Sequence, residues 1–522
     1  MDNKKILFSD SARNGLKDGI DIVANAVKVT LGYGGRTVVI STTGYPSRTT
    51  KDGVTVANSI KLRDEILDAG AKFIKEVSSK TADDVGDGTT TVCVLMQSLV
   101  ANGLKLIAAG ANPMSLKRGM DKSVSRITEC LLDMKIETTD KLLKDVATVS
   151  ANNDSEIGEL ISEAYKQLGS HGIIAVEDAN GPDTKIEMVE GFKFDSGFFA
   201  HHFINNFAEN TCELKTPYVM IVENKINDIN QIWPLLQVVA KEQRSIVIIA
   251  EDFDISVTTN LLKNRQLIES CLIKYNFTGD TKQELIYDLC GVTGATVAEK
   301  QGDKMDSLRK EYLGECEKIV IEEKETLIIK GKKSERELSA RIIDARAKID
   351  TAKNPFVRQR QEVRLARLSG CIAICYVGGM TEVEVSEKKD RIDDSIKATK
   401  AAIEEGIVVG GGTALLRCID SVKALSFVEG ERQGAGLVIA ALEEPAKHIC
   451  QNTGVEDYQL IIPGVKVSTG NQGFNAKSGK IEDLVAAGIV DPLKVVRVCI
   501  ENAVSAAGQV LISEALIVTD NS

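Results

Sequence analysis

Six consecutive residues, Gly86-Asp87-Gly88-Thr89-Thr90-Thr91, combine two glycines, one carboxylate and three hydroxyls. An apolar run of helical character, Val92 to Ala109, follows directly. Glycines let backbone N–H groups approach an anion closely, and a helix N-terminus offers unpaired donors with partial positive charge. The threonines add hydroxyl donors, and Asp87 can hold a divalent cation between phosphate oxygens. A nucleoside triphosphate with magnesium suits that set. The same residues also suit a plain helix N-cap, where Asp and Thr are frequent. Three successive threonines exceed what one cap requires, and the local pattern by itself leaves the two readings level.

Other chemistry is harder to build from this chain. The eleven cysteines are scattered, Cys371 and Cys375 are the closest pair, and no C-x-x-C occurs. That usage reads as free, mostly buried thiols in a reducing compartment. His171, His201, His202 and His448 form no metal-ligand spacing. A phosphotransferase for a small metabolite would need a convergent polar pocket, which is not apparent, and the chain has no G-x-x-x-x-G-K-[ST] loop.

The elements that must carry these residues belong to a large chain. Its 522 residues suggest about three domains. Apolar residues make up 43% but aromatics only 4%, so small and aliphatic side chains must do most of the packing. The net charge of −11 disfavours nucleic acid and anionic membrane as main partners. Met1–Phe8 has no signal-peptide pattern and no apolar run reads as long enough to span a bilayer, so the expected location is the cytoplasm.

The first third reads as mostly helical. Ile20, Val23, Ala24 and Val27 recur at helical spacing within Gly15–Thr30. Thr37–Ser41 and Val54–Val56 read as short strands around a loop that ends in the turn Lys51-Asp52-Gly53. Asn112-Pro113 is a cap-plus-proline helix start. In the middle third the β-rich runs Tyr218–Val222, Ile246–Ala250 and Cys271–Tyr275 alternate with helical segments Ile229–Lys241 and Ser256–Asn264, which argues an α/β domain. The last third returns to helices, with Gly410-Gly411-Gly412 in a break and Asp491-Pro492 opening a long helix to Ala515.

Ordered along the chain, Thr30-Leu31-Gly32, Thr50-Lys51-Asp52-Gly53, Gly86–Thr91, Asn112-Pro113-Met114, Lys117-Arg118-Gly119, Ala402–Gly406, Gly410–Gly412, Gly473-Phe474-Asn475-Ala476 and Asp491-Pro492 resemble a bacterial GroEL-type (group I) chaperonin, as a divergent paralogue. The resemblance covers essentially the whole chain. It implies a multidomain α plus α/β fold: a mainly helical equatorial ATPase domain (1–133 and 405–522), a small intermediate hinge domain (134–190 and 372–404) and an α/β apical substrate domain (191–371). Gly191 and Gly370 match its hinge glycines.

The resemblance also implies a site. Thr30, Leu31, Gly32 and Tyr33 line the nucleotide pocket, Lys51, Asp87, Gly88, Thr89, Thr90 and Thr91 surround the phosphates, and Asp87 reaches the magnesium. Ser150, Gly411, Asn475, Ala476, Lys477 and Asp491 surround phosphate, adenine and ribose. The implied cofactors are ATP and Mg²⁺, with K⁺ as a further cation. From pattern alone Asp394 is a solvated charge, opposite the face formed by Ile392, Ile396, Thr399 and Ile403. The resemblance instead makes it the carboxylate that orients the attacking water, with Asp52 in support. Phe198, Phe203, Trp233, Leu236, Leu261 and Leu262 fall in or beside a groove for non-native polypeptide.

The implied assembly is a heptameric ring, two rings stacked, with a GroES-type co-chaperonin. Departures from the family pattern are Tyr33-Gly34 for Pro-Lys, which frees the loop backbone, and Phe474 for Tyr. In the groove, His202 replaces an aromatic, and Thr258 and Lys263 replace aliphatic residues. Ser196 replaces an arginine that would pair with Glu382 between subunits, and the chain ends in Val518–Ser522 instead of a Gly-Gly-Met tail. They favour an alternative, a specialised client-binding or scaffold protein with reduced ATPase or co-chaperonin coupling.

Overall fold

The computed structural model describes residues 4–519 except 42–47, 170–171, 180, 208, 276, 278, 299–308, 353, 370 and 456–457. Two compact units result. The first comprises Met1–Lys166, Asp178–Lys185 and Val377–Ser522; the second comprises Gln167–Glu177 and Ile186–Tyr376.

Helices build the first unit. Ser9–Val27, Glu65–Val85, Thr89–Ala108, Pro113–Asp133, Glu429–Asn452 and Leu493–Ile512 pack around one aliphatic core. Small residues let their backbones approach. A Cβ at Gly19 would lie 2.0 Å from the Leu67 carbonyl oxygen, and one at Gly70 would lie 2.1 Å from that of Leu16. Close approach thus replaces the bulk that aromatics would supply.

The chain ends meet in this unit, where Lys4–Phe8 pairs antiparallel with Ala515–Thr519. The last helix therefore stops at Ile512, short of the expected Ala515. Arg13 donates to the Ser513 carbonyl oxygen (2.9 Å) and pairs with Glu514, drawing the chain out of the helix.

Two sequence expectations fail here for physical reasons. Thr89–Ala108 and Leu493–Ile512 are long and apolar enough by composition to cross a bilayer, contrary to the reading that no such run exists. Half or more of each is buried, and they pack against one another in the core. Val54–Val56 is helix, within Gly53–Ser59, although its residues are β-branched. Asp52 caps that helix by accepting from the Val54 N–H (3.2 Å) and the Thr55 N–H (2.7 Å), which outweighs strand propensity. The strand paired with Val38–Ile40 is Arg48–Thr50.

The second unit is α/β. Tyr218–Ile221, Ile246–Ala250 and Ser270–Lys274 pair in parallel, and almost every residue in them is buried, as their continuous apolar character requires. The helices Trp233–Lys241 and Ile255–Lys263 make the crossovers. Antiparallel strands Gly314–Ile321, Thr326–Gly331 and Lys185–Phe194 extend the sheet, followed by Cys371–Val377 and Ile173–Asp178.

Gly191 lies inside one of these strands, where a Cβ would meet Ile372 Cδ1 at 2.4 Å. Packing, rather than a left-handed backbone, demands glycine there. Gly370 lies outside the described residues. Ser196 is buried with its hydroxyl unpaired, so the position expected at a subunit contact is interior here.

Candidate functional site

Glu65–Val85 ends at Gly86 (φ +73°), and Thr89–Ala108 begins after Gly88 (φ +79°). Two left-handed residues so turn one helix into the next, with Asp87 held between them. No side chain caps the new helix, so its first amides point unpaired at the space in front. A Cβ on Gly88 would sit 2.3 Å from Cys499 Sγ, and one on Gly53 would sit 2.6 Å from Thr90 Oγ1. Only glycine fits either place.

That space is a cavity of about 540 Å³ within the first unit. Every nucleotide residue named from the sequence lines it: Thr30–Tyr33, Lys51, Asp87–Thr91, Ser150, Gly411, Asn475–Lys477 and Asp491. Asp52 and Asp394 line it too. Thr30 and Thr90 hydroxyls lie 3.2 Å apart. Asp87 accepts from the Gly88 N–H (2.5 Å) and from the Ser150 hydroxyl (2.9 Å). Asn475 fixes the opposite wall, accepting from the Lys477 N–H (2.8 Å) and donating to Glu482 (2.6 Å).

Three details differ from expectation. Asp491 does not cap the last helix; it sits in the strand Val490–Pro492, opposite Val408. Just before Tyr33-Gly34, Asn452 donates to the carbonyl oxygens of Lys28 (3.0 Å) and Leu31 (2.9 Å), contacts that the expectation did not include. Asp394 is not on a solvated face: the helix Glu382–Glu405 turns it into the cavity.

In the second unit an apolar groove is lined by Phe199, His202, Ile255, Thr258, Thr259, Leu262 and Lys263. Of the six expected groove residues, Leu262 lines it and Trp233 is 39% exposed. Phe198, Phe203, Leu236 and Leu261 are buried and support the wall from beneath. Periodicity marks them as apolar but does not tell a lining side chain from a supporting one. Ile255, at 80% exposure, carries the open apolar surface.

A model of the TCP-1/cpn60 chaperonin family matches residues 23–521. The chain belongs to that family. Its fold is also that of the chaperonin gp146 from the bacteriophage EL 2 (Pseudomonas aeruginosa), crystallised in the presence of ATP-BeFx. One crystal form of gp146 superposes with a TM-score of 0.74 and another with 0.67, each at 21% identity over 99% of both chains.

Carboxyl groups dominate this chaperonin's cavity. Burial, then the charges of Asp52 and Asp87, pushes the Asp394 carboxyl well above the usual range. Burial and Asp87 push Asp491 up to about 7. Burial also raises Asp87, against the hydrogen bonds from Gly88 and Ser150.

An acid raised in the fold binds a proton on folding. Its stabilisation is full below the unfolded value and is lost as pH rises through the folded value. Nucleotide-free protein is therefore expected to lose about 1–2 kcal/mol between about pH 6 and pH 8 through Asp491. Asp491→Asn should flatten that slope in calorimetric melts; an unchanged slope would assign the effect elsewhere.

A magnesium ion arriving with a nucleotide fits this donor set. Among the described residues no three His, Cys, Asp or Glu side chains converge on a self-contained metal site. Mg²⁺ characteristically takes one or two carboxylates and completes its shell with phosphate oxygens and water. Asp87, beside the uncapped helix start, is the carboxylate placed for that.

Sequence reasoning missed Arg48, Asp145 and Asp390. Asp145 lines the cavity with Oδ2 buried and unpaired. Asp390 lines it four residues before Asp394, a helical spacing that could have drawn notice.

Proposed function

We propose that this chaperonin binds and hydrolyses ATP in the cavity of its first unit and binds non-native polypeptides at the groove of its second. The observation that carries the ATP reading is convergence. Nucleotide residues named from seven separate stretches of sequence line one cavity around an uncapped helix start. Phosphoryl transfer to water calls for charge neutralisation and a held water more than for covalent chemistry. Thr89, Thr90, Thr91 and the helix N-terminus would hold the phosphates. Lys51 would add positive charge, and Asp87 would hold Mg²⁺, which neutralises phosphate charge when bound. Asp394 would orient the attacking water. Crystallisation of gp146 in the presence of an ATP analogue supports the reading.

Heptameric rings, two stacked, and a GroES-type partner complete the proposed cycle. In that cycle 1–133 with 405–522 acts as the ATPase body, 134–190 with 372–404 as the hinge, and 191–371 as the client-binding part. The groove favours one qualification. Lys263, His202 and Thr258 border it in place of apolar residues, which suits a narrower client range and is the basis of the alternative, specialised client-binding role.

The test is steady-state ATP hydrolysis with light scattering, with and without a GroES-type partner, alongside capture of a denatured model protein. A large ring whose rate responds to the partner, and whose capture is lost in Ile255→Asp, supports the folding-chamber cycle. Capture without partner-dependent hydrolysis supports the specialised role. Absence of both hydrolysis and capture overturns the proposal.

A further inference from the structure

We propose that Arg48 and Asp390 form a latch that holds the helix Glu382–Glu405 over the cavity and so positions Asp394. The proposal rests on reading the cavity as an ATP site. Arg48 Nη2 donates to Asp390 Oδ2 in a charge-assisted hydrogen bond. Asp390 stands one helical turn before Asp394, and both line the cavity. Arg48 opens the strand Arg48–Thr50, which runs directly into Lys51, Asp52 and Gly53 on the cavity wall. The bridge therefore ties the helix that carries Asp394 to the segment that carries Lys51.

Electrostatics gives the bridge its purpose. The helix brings Glu387, Asp390 and Asp394 toward a wall that already holds Asp52 and Asp87. Like charges that converge this way repel unless a cation intervenes. Arg391 is committed to Asp154 (3.0 Å) and Glu387 (2.7 Å) on its own side of the cavity. Arg48 is the cation that neutralises Asp390 from the opposite element. Burial raises the Asp390 carboxyl, Arg48 opposes that rise, and Asp52 and Glu387 add to it. The two side chains remain 42% and 35% exposed, so the bridge can open and reform. Arg48 is a positioning residue: it acts through Asp394 and touches no reacting atom.

The experiment compares wild type, Arg48→Ala, Arg48→Lys, Asp390→Asn and the double variant Arg48→Ala/Asp390→Asn. Two readouts are used, kcat and KM for ATP, and hydrogen exchange of residues 382–405 without nucleotide. Arg48→Ala is expected to lower kcat about fivefold, the rate equivalent of the ~1 kcal/mol at the top of the range for a half-exposed pair. KM should stay within about twofold, because the phosphate donors are untouched. Exchange of the helix should rise by a similar factor while Thr89–Ala108 stays protected. Arg48→Lys should recover most of both effects, and the double variant should be no worse than either single.

Additive single effects, or exchange unchanged in Arg48→Ala, would overturn the latch. Wild-type protein that does not hydrolyse ATP, yet shows the coupled exchange, would support the latch and overturn the ATP reading instead.

Discussion

Asp394→Ala is expected to lower kcat for ATP hydrolysis by at least about a hundredfold and to leave nucleotide affinity nearly unchanged. A positioned acid–base or water-orienting group contributes about 10²–10⁴ in rate. The residues proposed to hold phosphate lie on other elements: Thr89–Thr91 at a helix start and Lys51 beside a strand end. Removing Asp394 also removes a buried charge that Asp52 and Asp87 repel. The variant should therefore lose less stability than wild type as pH rises, because the raised carboxyl takes up that buried charge only toward higher pH. That combination separates loss of a reacting group from loss of structure. Single-turnover hydrolysis beside equilibrium nucleotide binding measures it. Equal losses in both would mean that Asp394 holds the ligand rather than the water.

Arg364→Ala is expected to destabilise the second unit by about 3–5 kcal/mol. The guanidinium meets Asp288 with two hydrogen bonds, both 2.7 Å, and Asp344 with a third at 2.9 Å. Glu284 and Gln361 close the network, and Lys348 joins it through Glu284. Arg364 and Asp288 are both buried, so truncating the arginine leaves a carboxylate without its counter-charge. Burial already pushes the Asp288 carboxyl upward, and Arg364 is what opposes it.

The single tryptophan, Trp233, lies in this unit and reports its unfolding by fluorescence. The expected shift in urea midpoint is about 1–5 M, given typical slopes of ~1–3 kcal/mol/M. Pairing Arg364→Met with Asp288→Asn should recover part of the loss, because the stranded charge is then gone. A shift below about 0.3 M for Arg364→Ala would show the network to be dispensable.

Local signals were strong where a residue answers to its own neighbours. Asn112-Pro113 starts a helix, with Asn112 accepting from the Ser115 N–H (3.1 Å), because cap and proline act within one turn. The buried parallel strands were legible as apolar runs for the same reason. Where two local signals compete, the sequence ranks them poorly: Val54–Val56 went to helix through a cap two residues upstream.

The nucleotide residues were named from the ordered motifs and their family resemblance. Their spacing contains nothing that brings Thr30, Asp87, Asp394 and Asp491 to one cavity. Packing of the helices Glu65–Val85, Thr89–Ala108 and Glu382–Glu405 does that. The groove shows the same limit. Phe203 and Leu236 look as suitable as Ile255 by hydropathy, yet burial separates wall from surface.

By itself the sequence determined the helical and α/β character of the two parts, the glycines and threonines around one helix start, and the acidic residues available for chemistry. Only the tertiary structure decided which carboxyl groups share a cavity, which aromatics are interior, and that Arg48 meets Asp390 across 342 residues of chain. Helix caps and apolar periodicity are set by neighbours a turn or two apart. Burial and charge pairing are set by elements that meet only once the chain has folded.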